Sequence, residues 1–233
     1  KSSVENALWE PFDVAVINVF CPTGEGGGVD PSCSPSGSGA SAVTGTSAGE
    51  IHNRFLKAAR QVKGISRETR QSYARASKQA VNAIAAISPV AAERLNRGVG
   101  AVRFYPDPEA MGNGLRAGRP VLGGYDSSNP SHPIIHLDGG EDPYGAYSHE
   151  MFHALDGPGH AISNSLSWRA AWQDEIVAPK NVSRYASRNP VEGFAEFGRL
   201  LTSELKGVKD PAEINRVKTS FARQFPKAIA AMK

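Results

Sequence analysis

His149-Glu150-Met151-Phe152-His153 carries the clearest chemistry in the chain. Two histidines four residues apart stand about 40° apart around a helix, so both imidazoles reach one point on one face. Such a pair is half the ligand set of a catalytic zinc, and the glutamate between them stands where a general base for hydrolysis is needed. The pattern requires a helix over the motif, and Gly157-Pro158-Gly159 supplies a stop just after it.

A catalytic zinc takes a third protein ligand and keeps one position open. His160 follows His153 by seven residues, whereas the metzincin pattern needs a histidine six after and a glycine three after; Gly159 and Asp156 stand there instead. Glu192-Gly193-Phe194-Ala195-Glu196 offers a second route. Glutamates four apart share a helix face, so Glu192 can bind the metal. Glu196, one turn deeper, can then accept a hydrogen bond from the far nitrogen of a ligating histidine. The rest of that helix is apolar, and burying two carboxylates there calls for a cation and a histidine to neutralise them. His132 and His136 form a third option, and read better as structural or substrate-contacting residues.

The elements that must position these groups follow from periodicity. An N-terminal strand around Val14–Phe20 leads into a Gly/Ser/Pro-rich loop, so residues 1–46 form a first region. Residues 47–99 read as helices: one capped by Ser47 and running to about Lys63, one from Ser66 to Ile87, and a short one from Ser88-Pro89 to Gly98. From 100 to 233 the pattern changes to strands Val102–Tyr105, Val121–Tyr125 and Ile134–Leu137, then the motif helix. Helices around Trp168–Ile176, Pro190–Leu205 and Pro211–Phe225 close the chain. Pro133, unable to donate to a ladder, suggests that Ile134–Leu137 lies at a sheet edge. An extended peptide would then pair along Ile134, Ile135, His136 and Leu137. The order of elements is an α+β arrangement.

Composition narrows the function classes. A net charge of +3 is too small to imply nucleic acid, and no apolar run is long enough to span a membrane. Residues 51–100 are locally basic, with ten Lys and Arg against Glu68 and Glu93, which reads as a solvated helix face. Cys21 and Cys33 are the only cysteines. A disulfide between them would contribute about 2–3 kcal/mol and would point to an oxidising compartment. Asn181-Val182-Ser183 is a glycosylation sequon, a triplet too common to decide anything. A secreted monomer is the expectation.

His-Glu-Met-Phe-His-Ala-Leu-Asp at 149–156, followed by Tyr185-Ala186-x-x-Asn189-x-x-Glu192-Gly-Phe-Ala-Glu196-Phe, resembles the catalytic domain of anthrax lethal factor and its relatives. These are gluzincin metallopeptidases, which include the secreted Pro-Pro endopeptidases. The resemblance covers about residues 100–205. It implies a zincin-like domain with a small, mostly antiparallel sheet, preceded by the helical region. It further implies Zn2+ held by His149, His153 and Glu192, Glu150 as catalytic base, and Tyr185 as assistant to the tetrahedral intermediate. Gly193 departs from the bulkier aromatic usual in that family. The expected activity is hydrolysis of peptide bonds in a protein substrate by a secreted protease, toxin or effector. Two other readings stand beside it: a zinc-binding interaction protein that works through its basic helices, and a zinc hydrolase of peptidoglycan cross-links.

Overall fold

The computed structural model describes residues 46–114, 123–138, 142–177 and 182–232. The expected N-terminal strand and loop, Cys21, Cys33 and the sequon's Asn181 lie outside the described residues. Helices α1 (Thr46–Gln61), α2 (Arg67–Ile87) and α3 (Pro89–Gly98) come first. Ser66 caps α2 by accepting from Thr69 N at 3.0 Å, and Ser88 caps α3 through Ala91 N. Ser47, expected as a cap, falls inside α1, which already begins at Thr46. Along α2 the buried residues Tyr73, Ala76, Ser77, Ala80, Val81 and Ile84 follow the three-and-four spacing of one helical face.

Strand β1 (Ala101–Phe104), a short helix α4 (Pro108–Gly114), β2 (Gly123–Asp126) and β3 (Ile134–Leu137) follow. The sheet is mixed: β1 runs parallel to β3, and β2 antiparallel to it. This corrects the expectation of a mostly antiparallel sheet. It also corrects the place of Ile134–Leu137, which is the middle strand in the order β1-β3-β2. Pro133 stands just before the strand, outside the ladder, and its carbonyl accepts from Gly100 N and Ala101 N at 2.9 and 3.2 Å. A proline there needs no N–H, so it does not mark an edge. Ile135, His136 and Leu137 are accordingly buried. Among the described residues, β2 is a strand paired on one side only.

The motif helix α5 (Pro143–Asp156) is buried nearly all round, from Tyr144 to Asp156 except for Ala146. Asp142 caps it through Gly145 N at 3.0 Å, with Pro143 at the first position where its missing N–H costs nothing. Gly157, at φ +79°, ends it with its N–H on His153 O. Two aromatic clusters grip α5. Phe55 and Phe104 meet Tyr147 at ring separations of 5.2 and 5.6 Å, and Tyr73 stacks on Phe104 at 5.1 Å. On the other side Phe152 meets Phe194, which packs edge-on against the fully buried Trp168. The helices of residues 46–98 therefore share one core with the sheet and α5.

After α5 come α6 (Leu166–Ala171) and a π-helical segment (Trp172–Val177), where one continuous helix to Ile176 was expected. Then follow α7 (Pro190–Glu204), α8 (Pro211–Gln224) and a separate last helix α9 (Pro226–Ala231). Buried Glu175 in the π-helical segment accepts from Lys227 N and Ala228 N, which caps α9 from another part of the chain. The whole is mostly helical with a small three-stranded mixed sheet, an α+β fold.

Candidate metal centre

α5 and α7 cross in close contact, and the site lies between them. Gly198 on α7 makes the approach possible: a Cβ there would come within 2.5 Å of Phe152 Cδ2. Asn189 caps α7 by accepting from Glu192 N at 2.9 Å, with Pro190 at the first helical position. Trp168 Nε1 donates to Pro190 O at 2.8 Å, and Trp172 Nε1 donates to Ala186 O at 2.8 Å. These bonds fix the turn 184–187 and the start of α7. The Trp172 ring occupies the space a side chain at Gly193 would need, with Nε1 2.6 Å from the position of a Cβ. Trp172 thus accounts physically for a glycine at position 193.

His149, His153 and Glu192 present three donor atoms at one point, and this group could hold a metal ion. His149 Nε2 lies 3.1 Å from His153 Nε2 and 3.1 Å from Glu192 Oε2, and His153 Nε2 lies 3.4 Å from that oxygen. Ligands about 2.0–2.1 Å from a tetrahedral ion stand about 3.3 Å apart, so the spacing fits a small divalent cation. The charge balance points the same way. Burial disfavours charge on His149, yet Glu192, Glu196 and Glu150 outweigh it and raise its pKa to about 9. Burial opposes ionisation of Glu192, but His149 and His153 hold its carboxyl well below the usual range. With Glu196 paired to Arg199, the carboxylates of Glu150 and Glu192 beside two imidazoles leave negative charge that a cation at the centre would balance.

Glu196 sits behind His149. Its Oε1 accepts from His149 Nδ1 at 3.0 Å and from Arg199 Nε at 2.7 Å; its Oε2 accepts from Arg199 Nη2 at 3.0 Å and Ser183 Oγ at 2.5 Å. With Nδ1 donating, His149 turns the lone pair of Nε2 towards the centre. Burial works against the Glu196 anion, but His149, Arg199 and Ser183 hold its carboxyl well below the usual range. Arg199 and Ser183 were not singled out by sequence reasoning. The (i, i+3) spacing from Glu196 was a readable signal for Arg199, whereas Ser183 is brought in by the turn and left none.

Glu150 is 5% exposed and lies against β2. A side chain at Gly123 would collide with its carboxylate, and a Cβ there would sit 3.0 Å from its Cγ and Cδ. Burial raises the Glu150 pKa, partly offset by His149 and His153, so the carboxylate is a stronger base than an exposed glutamate. Tyr185, half-exposed, has its ring 5.6 Å from that of His149. Burial and the neighbouring Glu192 push its hydroxyl up to about 12.

His160 lines the same pocket without joining the three donor atoms. Its Nδ1 is tied to buried Asp156 Oδ2 at 3.1 Å, while Ile162 N, Ser163 N and Ser163 Oγ also bind that carboxylate. His160 holds a left-handed backbone at φ +54°, rare for a residue other than glycine. His136 stands outside the donor group, buried in β3 with Nδ1 on the Tyr105 hydroxyl at 2.8 Å. His132 is exposed and packs its ring on Gly100. The strand that borders the pocket is β2, through Gly123, Gly124 and Tyr125, and not Ile134–Leu137.

Comparison with protein-family models, curated proteins and solved structures finds no match for this chain.

Proposed function

We propose that the protein is a zinc-dependent metalloendopeptidase of the lethal factor-like gluzincin kind, with a zincin-like domain, acting on a protein substrate as a secreted protease, toxin or effector. The observation that carries this reading is the triangle of His149 Nε2, His153 Nε2 and Glu192 Oε2, with sides of 3.1–3.4 Å, with Glu150 alongside. Two imidazoles and one carboxylate form the donor set of catalytic zinc hydrolases, which leaves a coordination position for reactant. When bound, zinc supplies Lewis acidity and brings the pKa of a water towards neutrality.

The protein's own residues do the rest. Glu150, made more basic by burial, removes the proton from the attacking water and delivers it to the leaving amine nitrogen. Tyr185 keeps its proton at neutral pH and so donates a hydrogen bond to the oxygen that gains charge. Glu196, clamped by Arg199 and Ser183, keeps His149 in one tautomer and orientation. The peptide lies extended along β2, which borders the pocket through Gly123, Gly124 and Tyr125 and, among the described residues, is paired on one side only.

Zinc titration of the metal-free protein by calorimetry tests the ligand set. Wild type is expected to bind about one zinc per chain, and His153→Ala and Glu192→Ala to lose that binding while remaining folded. Unchanged zinc affinity in either variant would overturn the assignment.

A further inference from the structure

The turn that carries Tyr185 also holds a permanent charge near the site. Arg188 N donates to Tyr185 O at 3.1 Å, which folds the chain back so that the Arg188 guanidinium carbon sits 4.4 Å above the Tyr185 ring. The ring is in turn 5.6 Å from that of His149. The guanidinium is therefore at most about 10 Å from the metal-binding imidazole, and an extended peptide covers about 3.3 Å per residue. Side chains within about three residues of the scissile bond come within its reach. Arg188 is exposed, and among the described residues the ion pairs leave it out. Its neighbour Arg184 is exposed too.

The remaining charge around the pocket sharpens the point. Glu150 and Glu192 are the carboxylates that line it, and a divalent cation would balance both. Beside them, over the ring of Tyr185 that lines the pocket, the exposed guanidinium is a positive charge that no ion pair among the described residues takes up. We propose that Arg188 is the specificity-determining residue of this site, and selects peptides with an acidic side chain near the scissile bond on the Tyr185 side. The inference rests on the peptidase reading above and adds the class of substrate. Tyr185 serves twice, through its hydroxyl for the reaction and through its ring as the platform for Arg188.

Profiling of wild type on a peptide library supplies a cleavage site, and matched peptides with Glu, Gln or Lys at each of the three positions on either side of it test this. The readout is the ratio of kcat/KM within each set, for wild type, Arg188→Ala, Arg188→Glu and the control Arg223→Glu. Arg223 lies exposed on α8, which contributes nothing to the pocket, and its substitution changes net charge by the same amount. Wild type is expected to favour Glu over Gln by about 3- to 10-fold at one position on one side. Arg188→Ala should bring that ratio close to one, and Arg188→Glu should invert it in favour of Lys. Arg223→Glu should leave it as in wild type. Wild-type selectivity retained in Arg188→Glu, or an equal shift in Arg223→Glu, would overturn the inference while leaving the peptidase reading intact. If wild type cuts none of the peptides, both fail together.

Discussion

Gly123→Ala puts the coupling between β2 and Glu150, the proposed base, to the test. Gly123 has no positive φ, so alanine fits its backbone, and the nearest atoms its Cβ would meet belong to Glu150. The new Cβ would sit 3.0 Å from Glu150 Cγ and Cδ, and closer still to Oε1. Carbon atoms pack at about 3.5–4.0 Å, so the carboxylate must move by roughly 0.5–1 Å. A displacement of that size in a reacting group can cost about 100-fold in rate. His149, His153 and Glu192 keep their donor atoms in this variant, so zinc binding should persist. The expected outcome is a kcat lower by about 10- to 100-fold at full zinc occupancy, with metal content measured on the same sample. Wild-type kcat in zinc-loaded Gly123→Ala would refute the reasoning that β2 sets the position of Glu150.

Glu196→Gln replaces the acceptor behind His149 and leaves Arg199 without its anion. Zinc affinity should fall by about 10- to 100-fold, read by competition with a chelator. Gly193→Ala drives a methyl into Trp172 and the Ala186 carbonyl, which lie 2.6 and 3.1 Å from the new Cβ. It should destabilise the protein by about 1–3 kcal/mol in denaturant melts, with loosening of the turn that carries Tyr185. The metal-free protein should have an unusual pH profile. Glu192 and Glu196 lie below their ordinary 4.5, so their contribution is complete above that pH and is lost as pH falls. His149 is raised from 6.5 to about 9, so its contribution is complete below 6.5 and is lost as pH rises towards 9. Thermal stability without metal should therefore peak between about pH 4.5 and 6.5, and His149→Ala should flatten the alkaline side.

The parts of the site that were legible in the sequence are those written locally. The motif helix announced itself by spacing and by the Gly157 stop, and α7 by Asn189-Pro190 and two glutamates four apart. Donor atoms from both helices do meet at one point. Strand order was not legible, because the one signal used, Pro133, is equally well satisfied by a strand start. The consequence reaches the site: the strand that borders the pocket is β2, whose Gly123 and Gly124 give a weak strand signal. The π-helical segment and α9 were hidden for another reason. Their stability depends on Glu175 reaching residues more than fifty positions away, which no local pattern records. The same holds for Trp172, whose ring explains Gly193 only once the turn and α7 are folded together.

In the proposed reaction Glu150 moves the proton at a zinc held by His149, His153 and Glu192. Cleavage-site profiling on a proteome-derived peptide library, wild type against Glu150→Ala with zinc content measured on both, tests it most directly. Wild type should produce a defined set of cuts, and Glu150→Ala should hold about one zinc per chain and produce none. Cleavage by zinc-loaded Glu150→Ala, or no cleavage by fully loaded wild type, would contradict the account.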